Sequence, residues 1–210
     1  LTPNTTFDTD IATVMTCTAV SNTFNYSGGG AQRIIPIAYN NLTLSNSGAK
    51  DANNSTAISV SGNWTVSGTA TFTEGTGTVT FNGAAAQSLT NASGETFNNL
   101  TLNNSSAAGI TLNNNVTISS VLTMTDGNVN LSGTTLTISS TANGALVHGL
   151  TSASGWMYGG SIVRNRAAST VVTIGTARSL FPLGSSGDWR PFFVSQTSNP
   201  NTAGTMTVSH

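Results

Sequence analysis

Short alternating triplets run through the chain. Leu42-Thr43-Leu44, Ile58-Ser59-Val60, Trp64-Thr65-Val66, Leu100-Thr101-Leu102, Ile110-Thr111-Leu112 and Val116-Thr117-Ile118 each set two apolar side chains around one hydroxyl. Period-2 geometry puts the apolar pair on one face and the hydroxyl on the other, as in a half-buried strand. Gly, Asn, Ser or Thr interrupts every stretch before a 3.6-residue apolar pattern completes two turns, so no helix is predicted.

From Ile110 onward the triplets Ile110-Thr111-Leu112, Val116-Thr117-Ile118, Leu122-Thr123-Met124, Val129-Asn130-Leu131 and Leu136-Thr137-Ile138 start 6, 6, 7 and 7 residues apart. That spacing is too close for hairpins of ordinary strand length. Three such strands make a coil of about 20 residues, and stacked coils pair each strand in parallel with its counterpart above and below. Linkers such as Asn113-Asn114-Asn115 and Asp126-Gly127-Asn128 suit corners that need left-handed or bridge conformations. Asn at matching corners could also build hydrogen-bonded ladders. The same turn chemistry permits an antiparallel sandwich.

A longer repeat overlies the short one. Asn25-Tyr26-Ser27-Gly28, with Gln32 after it, returns as Thr80-Phe81-Asn82-Gly83 with Gln87; Tyr39-Asn40-Asn41-Leu42-Thr43-Leu44 returns as Phe97-Asn98-Asn99-Leu100-Thr101-Leu102. The offsets of 55 and 58 residues describe duplicated scaffold rather than a unique site.

Charge is scarce: 6 basic and 7 acidic side chains in 210 residues. Such a chain offers no basic footprint for nucleic acid and no polybasic face for a membrane surface. No apolar run approaches the roughly 18 residues of a membrane helix, so membrane insertion by this segment is not expected. The start at Leu1 reads as a mature product or an excised piece. Cys17 has no partner in the chain and reads as a small buried residue. Four of the five arginines (Arg164, Arg166, Arg178, Arg190) and two of the three tryptophans (Trp156, Trp189) follow residue 150, which suggests a structural boundary there.

The units Tyr/Phe-x-x-Leu-Thr-Leu-x-x-Ser and Val-Thr-Phe-Asn-Gly…Gln-x-Leu, followed by Val-Thr-Ile, Leu-Thr-Met and Gly-Asn-Val-Asn-Leu, resemble the β-solenoid repeats of large secreted surface proteins of Bacteroidetes. The later stretches Gly160-Ser161-Ile162-Val163-Arg164-Asn165-Arg166, Phe181-Pro182-Leu183-Gly184 and Trp189-Arg190-Pro191 are similar to a segment that often follows such repeats. The resemblance covers most of residues 25–195. It implies an extracellular, cell-surface adhesin, stalk or gliding-associated fibre, exported by the type IX secretion system and so handled by the secretion machinery. The chain carries no recognisable terminal sorting domain, so the export route follows from the resemblance alone.

Few residues invite chemistry. Glu74 and Glu95, 21 residues apart, could stack as the paired carboxylates of a glycosidase, but both lie in Gly-rich turns where a solvated carboxylate is ordinary. His148 and His210 are too few, and too far from acids in sequence, to nominate a catalytic triad. Asp8 and Asp10 supply only part of a calcium shell. Gly28-Gly29-Gly30 lacks the Lys-Ser/Thr of a phosphate loop and reads as a turn. Thr-x-Thr pairs such as Thr69/Thr71 and Thr78/Thr80 suggest an ice-ordering array, yet they do not recur at one coil interval. Trp64 lies in a core-type triplet. Trp156 and Trp189 remain as possible ligand-stacking platforms. Arg164, Arg166 and Arg190 are read as braces, bonded to carbonyls or to Asp188, in preference to binders of anions.

Together these readings predict an all-β protein: an N-terminal strand or cap over 1–20, a right-handed parallel β-helix over 21–150 and a β-rich capping module over 151–210. No catalytic, metal or cofactor site is predicted, and no cofactor. The expected role is an extracellular structural or adhesive segment, with cell-surface or glycan ligands as partners. A carbohydrate- or ice-binding module is the alternative and a glycan-processing enzyme the third.

Overall fold

A computed structural model describes residues 17–52, 57–168, 171–196 and 202–209; Asp8, Asp10 and His210 lie outside them. The described residues contain no α-helix, only strands, turns and one 3-10 turn at Ser152–Ser154. Up to Tyr158, strands adjacent in sequence do not pair; each pairs in parallel with a strand one coil away. Thr23–Tyr26, Asn41–Leu44, Trp64–Val66, Gln87–Asn91, Ile110–Leu112, Val129–Asn130 and Met157–Tyr158 form one all-parallel face. The chain is therefore a parallel β-solenoid of about six turns, and the antiparallel sandwich falls away.

One interior column measures the coil. Tyr39, Val60, Phe81, Leu102, Met124 and His148 stand in register, 21, 21, 21, 22 and 24 residues apart. A second face starts with Gln32–Arg33, Ser47–Asp51 and Thr69–Thr73. Farther along, Phe97, Ile118, Ile138 and Arg164 form an interior column on strands of the nine-stranded sheet. Long strands join two faces there: Glu95–Asn103 turns the corner at a register shift between Phe97 and Asn99, where an extra residue in the neighbouring strand bends the pair.

Three strands per coil give the 55- and 58-residue offsets a geometric meaning. Divided by 21, they amount to about two and two-thirds coils, or eight strands. The repeat thus moves by one face each time: Gln32 lies on the short three-stranded sheet and Gln87 on the seven-stranded one. The local device survives the move. The Gly28 N–H donates to Gln32 Oε1 at 2.7 Å, and the Gly83 N–H to Gln87 Oε1 at 2.8 Å.

Every triplet faces as its alternation requires. The apolar members, from Leu42 to Ile138, are almost wholly buried in one continuous cluster that also takes in Cys17. Full burial of each such side chain contributes roughly 1.5–3 kcal/mol. At the corners, Asn side chains reach across coils chiefly to backbone groups and hydroxyls. The Asn63 N–H donates to Asn41 Oδ1 (2.8 Å), Ser88 N–H to Asn63 Oδ1 (2.9 Å) and Thr135 N–H to Asn115 Oδ1 (2.9 Å). Glycine is obligatory where corners nearly touch. Gly127 has φ +86°, and a Cβ there would stand 2.1 Å from the Asn104 carbonyl oxygen.

Parallel stacking runs on through Met157–Tyr158 and into Ser161–Arg166, past the compositional change near residue 150. Antiparallel pairing begins only then, where Gly204–Ser209 adds to Ser161–Arg166 and Leu180–Phe181 pairs with Phe192–Phe193. This C-terminal cap closes the solenoid end with Phe181 and Leu183 in the core.

Candidate functional site

Three polar constellations and one buried lysine stand out, of which the Glu95 constellation and Lys50 lie inside the tube. The first surrounds Glu95. Its position after Gly94 suggested a solvated turn carboxylate, but the structure corrects this: Gly94, at φ +82°, swings the chain into a strand whose first residue is Glu95. Alternation then points Glu95 inward with Phe97, and it is 5% exposed. The Trp64 indole N–H donates to Glu95 Oε2 at 3.0 Å, the Asn91 amide at 3.3 Å and the Thr96 N–H to Oε1 at 3.1 Å. Burial lifts the carboxyl pKa to about 7 against these hydrogen bonds, and the Glu74 charge adds to the rise. Glu74 itself stays half-buried in its turn. Both Glu95 oxygens are taken by donors of the interior, beside an aromatic cluster in which Trp64 meets Phe72 edge-on at 4.8 Å and Phe97 at 5.5 Å.

Lys50 is the polar core residue that composition conceals. Fully buried, its Nζ donates to the carbonyls of Gly28 (2.6 Å), Gly30 (3.2 Å) and Ser47 (2.9 Å). The Gly28–Gly30 turn is thus closed over a cation. The available signal was register, since Lys50 pairs with Gln32 below and Phe72 above, both on the inward parity.

The second constellation lies where the last coils meet the cap. Trp156 lines a groove of about 290 Å³ together with Asp126, Asn128, Ser106 and Ser152. Its indole N–H donates to the Ser185 carbonyl at 2.6 Å, and Gly184 packs so closely that a Cβ there would stand 2.4 Å from the ring. Trp189 stacks on His148, with ring centres 5.3 Å apart and planes within 7°. The His148 ring sits between two backbone groups: the Leu150 N–H donates to Nδ1 at 2.9 Å, so the proton is assigned to Nε2, which donates to the Gly155 carbonyl at 2.9 Å. Burial lowers its pKa. Both tryptophans are half-buried and in contact, their rings 6.4 Å apart, and they stitch the cap onto the coils.

The third is a cluster of arginines in the cap. Arg164 and Arg166 follow Ile162 on the inward parity and are 2% and 8% exposed. Arg164 donates to the Ala177 and Leu180 carbonyls, Arg166 to the Arg178 carbonyl, and both guanidinium groups lie within 6 Å of the Phe181 ring centre. Burial and the neighbouring Arg166 and Arg178 charges bring the Arg164 pKa down to about 9. Arg190 instead pairs with Asp188 at the surface, at 2.9 Å.

On the outer faces, Thr80, Thr101 and Thr123 form one column, but the adjacent column reads Ala57, Thr78, Asn99, Val121, so the threonines do not make a two-column lattice. Among the described residues no group of three or more His, Cys, Asp or Glu could hold a metal ion.

Fold and polar sites together define the class: a capped parallel β-solenoid with a hydroxyl- and amide-rich exterior. No protein family, curated protein or solved structure matches this chain in comparison.

Proposed function

We propose that the chain is an extracellular structural segment of a bacterial cell-surface protein. It would act as a stalk or display scaffold of the adhesive or gliding-associated kind exported by type IX secretion. The observation that carries this reading is the unbroken interior column. Side chains stack in register from Tyr39 to His148, apolar as far as Met124, so length grows by about 4.8 Å for each added coil. The neutral outer face favours the same role, because few of its groups respond to salt or pH. Its secretion and surface placement rest on the resemblance of the repeats. Antibody labelling of intact and permeabilised source cells tests the reading. Labelling of intact cells is expected; signal only after permeabilisation overturns it.

A second reading, a carbohydrate-binding module, rests on the Trp156 groove, where a half-exposed indole stands beside Asp126 and Asn128. An amphipathic ring next to amide and carboxylate acceptors is a chemistry suited to a sugar face.

A further inference from the structure

Arg164, Arg166 and Arg178 gather in the cap with no described carboxylate among them. Among the described residues no carboxylate pairs with Arg164, Arg166 or Arg178, and Asp188 is spent on Arg190 at the surface. Backbone carbonyls take part of the donor set, but Arg166 Nη2 and Arg178 Nε are buried and have no hydrogen-bond partner. Arg166 is itself more than nine-tenths buried. Buried donors of this kind are rarely left unpaired, and uncompensated buried charge is costlier still. A water molecule would satisfy the donors and leave the charges standing.

We propose that the cap binds a small oxyanion between Arg166 and Arg178, with Arg164 behind them. An oxyanion supplies what the site lacks: several acceptor oxygens for guanidinium N–H groups and a negative charge for three cations. The free donors carry no exposed surface, so an ion reaches them only when the half-buried Arg178 side chain moves aside, and a compact inorganic ion asks for the smallest such movement. Arg178 is half-buried, which puts the site at the edge of the cap rather than in the solenoid core. The Phe181 ring lies against Arg164 and Arg166. The anion would then lock the strand Ser161–Arg166 to the segment that carries Arg178 and Leu180, so that cap closure depends on an ion from solution.

Inorganic phosphate is the probe. The unfolding midpoint of the intact chain is compared in phosphate and in chloride at equal ionic strength, which separates site binding from general screening. Phosphate is expected to raise the midpoint by about 5 °C. Titration calorimetry should give one phosphate per chain. Arg178→Met should leave the chloride midpoint unchanged or higher, because like-charge repulsion is relieved, and should abolish the phosphate response. Equal wild-type midpoints in the two salts, or a full phosphate response in Arg178→Met, overturns the proposal. If that variant does not fold, the wild-type calorimetry decides: absence of saturable binding overturns it.

Discussion

The indole N–H of Trp64 meets Glu95 Oε2 at 3.0 Å inside the tube, joining two residues 31 positions apart. Both side chains are almost wholly buried, so the pair places an ionisable acid in the aromatic core. Its carboxyl pKa is raised from 4.5 to about 7, mainly by burial. Between those values the folded chain holds more protons than the unfolded one, and stability falls as pH rises. The contribution is full below about 4.5 and gone above about 7, on the order of 3 kcal/mol in all. His148 works the other way: its pKa is lowered, so its contribution is present above about 6.5 and lost as pH falls. Comparing wild type with Glu95→Gln isolates the acid. The difference in unfolding midpoint should grow by about 6–12 °C in favour of the variant between pH 4.5 and pH 8. A pH-independent difference would contradict the assignment.

Gln87 and Gln32 occupy the same place in the repeat but should not cost the same to remove. Gln87 fills all its bonds: it accepts from Gly83 N–H and Asn104, and donates to the Val60 and Gly62 carbonyls. Gln87→Ala strands these groups in the interior and should lose about 2–4 kcal/mol. Gln32 is half-buried and its bond to Gly28 is replaceable by water, so Gln32→Ala should lose under about 1 kcal/mol. Urea unfolding of the two variants gives the comparison, and equal losses would deny the difference in environment.

Lys50 is the only lysine in the chain and its ammonium is sealed under three carbonyls. An amine-acylating reagent should therefore leave it unmodified in the folded protein and modify it once urea unfolds the chain. Peptide mass spectrometry reads the site directly. Rapid labelling under native conditions would place the side chain in solvent.

These sites mark where sequence reading reaches its limit. Triplets such as Leu100-Thr101-Leu102 announce their faces because each alternation is local, and their 6- and 7-residue spacing already implies coils. The step of one face per repeat depends on how many strands share a coil, which the pairing alone reveals. Glu95 was concealed by Gly94: a glycine beside an acid reads as a solvated turn, although the shared parity of Glu95 and Phe97 held the correct signal. Arg164 and Arg166 were readable as braces bonded to carbonyls, since both follow Ile162 at intervals of two. That no carboxylate among the described residues pairs with them is a fact of three dimensions, because Asp188 is near in sequence and engaged elsewhere.

The claim that this solenoid supports rather than recognises is tested most directly by screening the folded chain on a broad glycan array and for inhibition of ice recrystallisation, beside Trp156→Ala and Trp189→Ala. The account predicts no glycan or ice signal above background for any of the three proteins. Specific binding by the wild type, abolished in either variant while its circular dichroism stays unchanged, would contradict it and make the groove beside Trp156 the working surface.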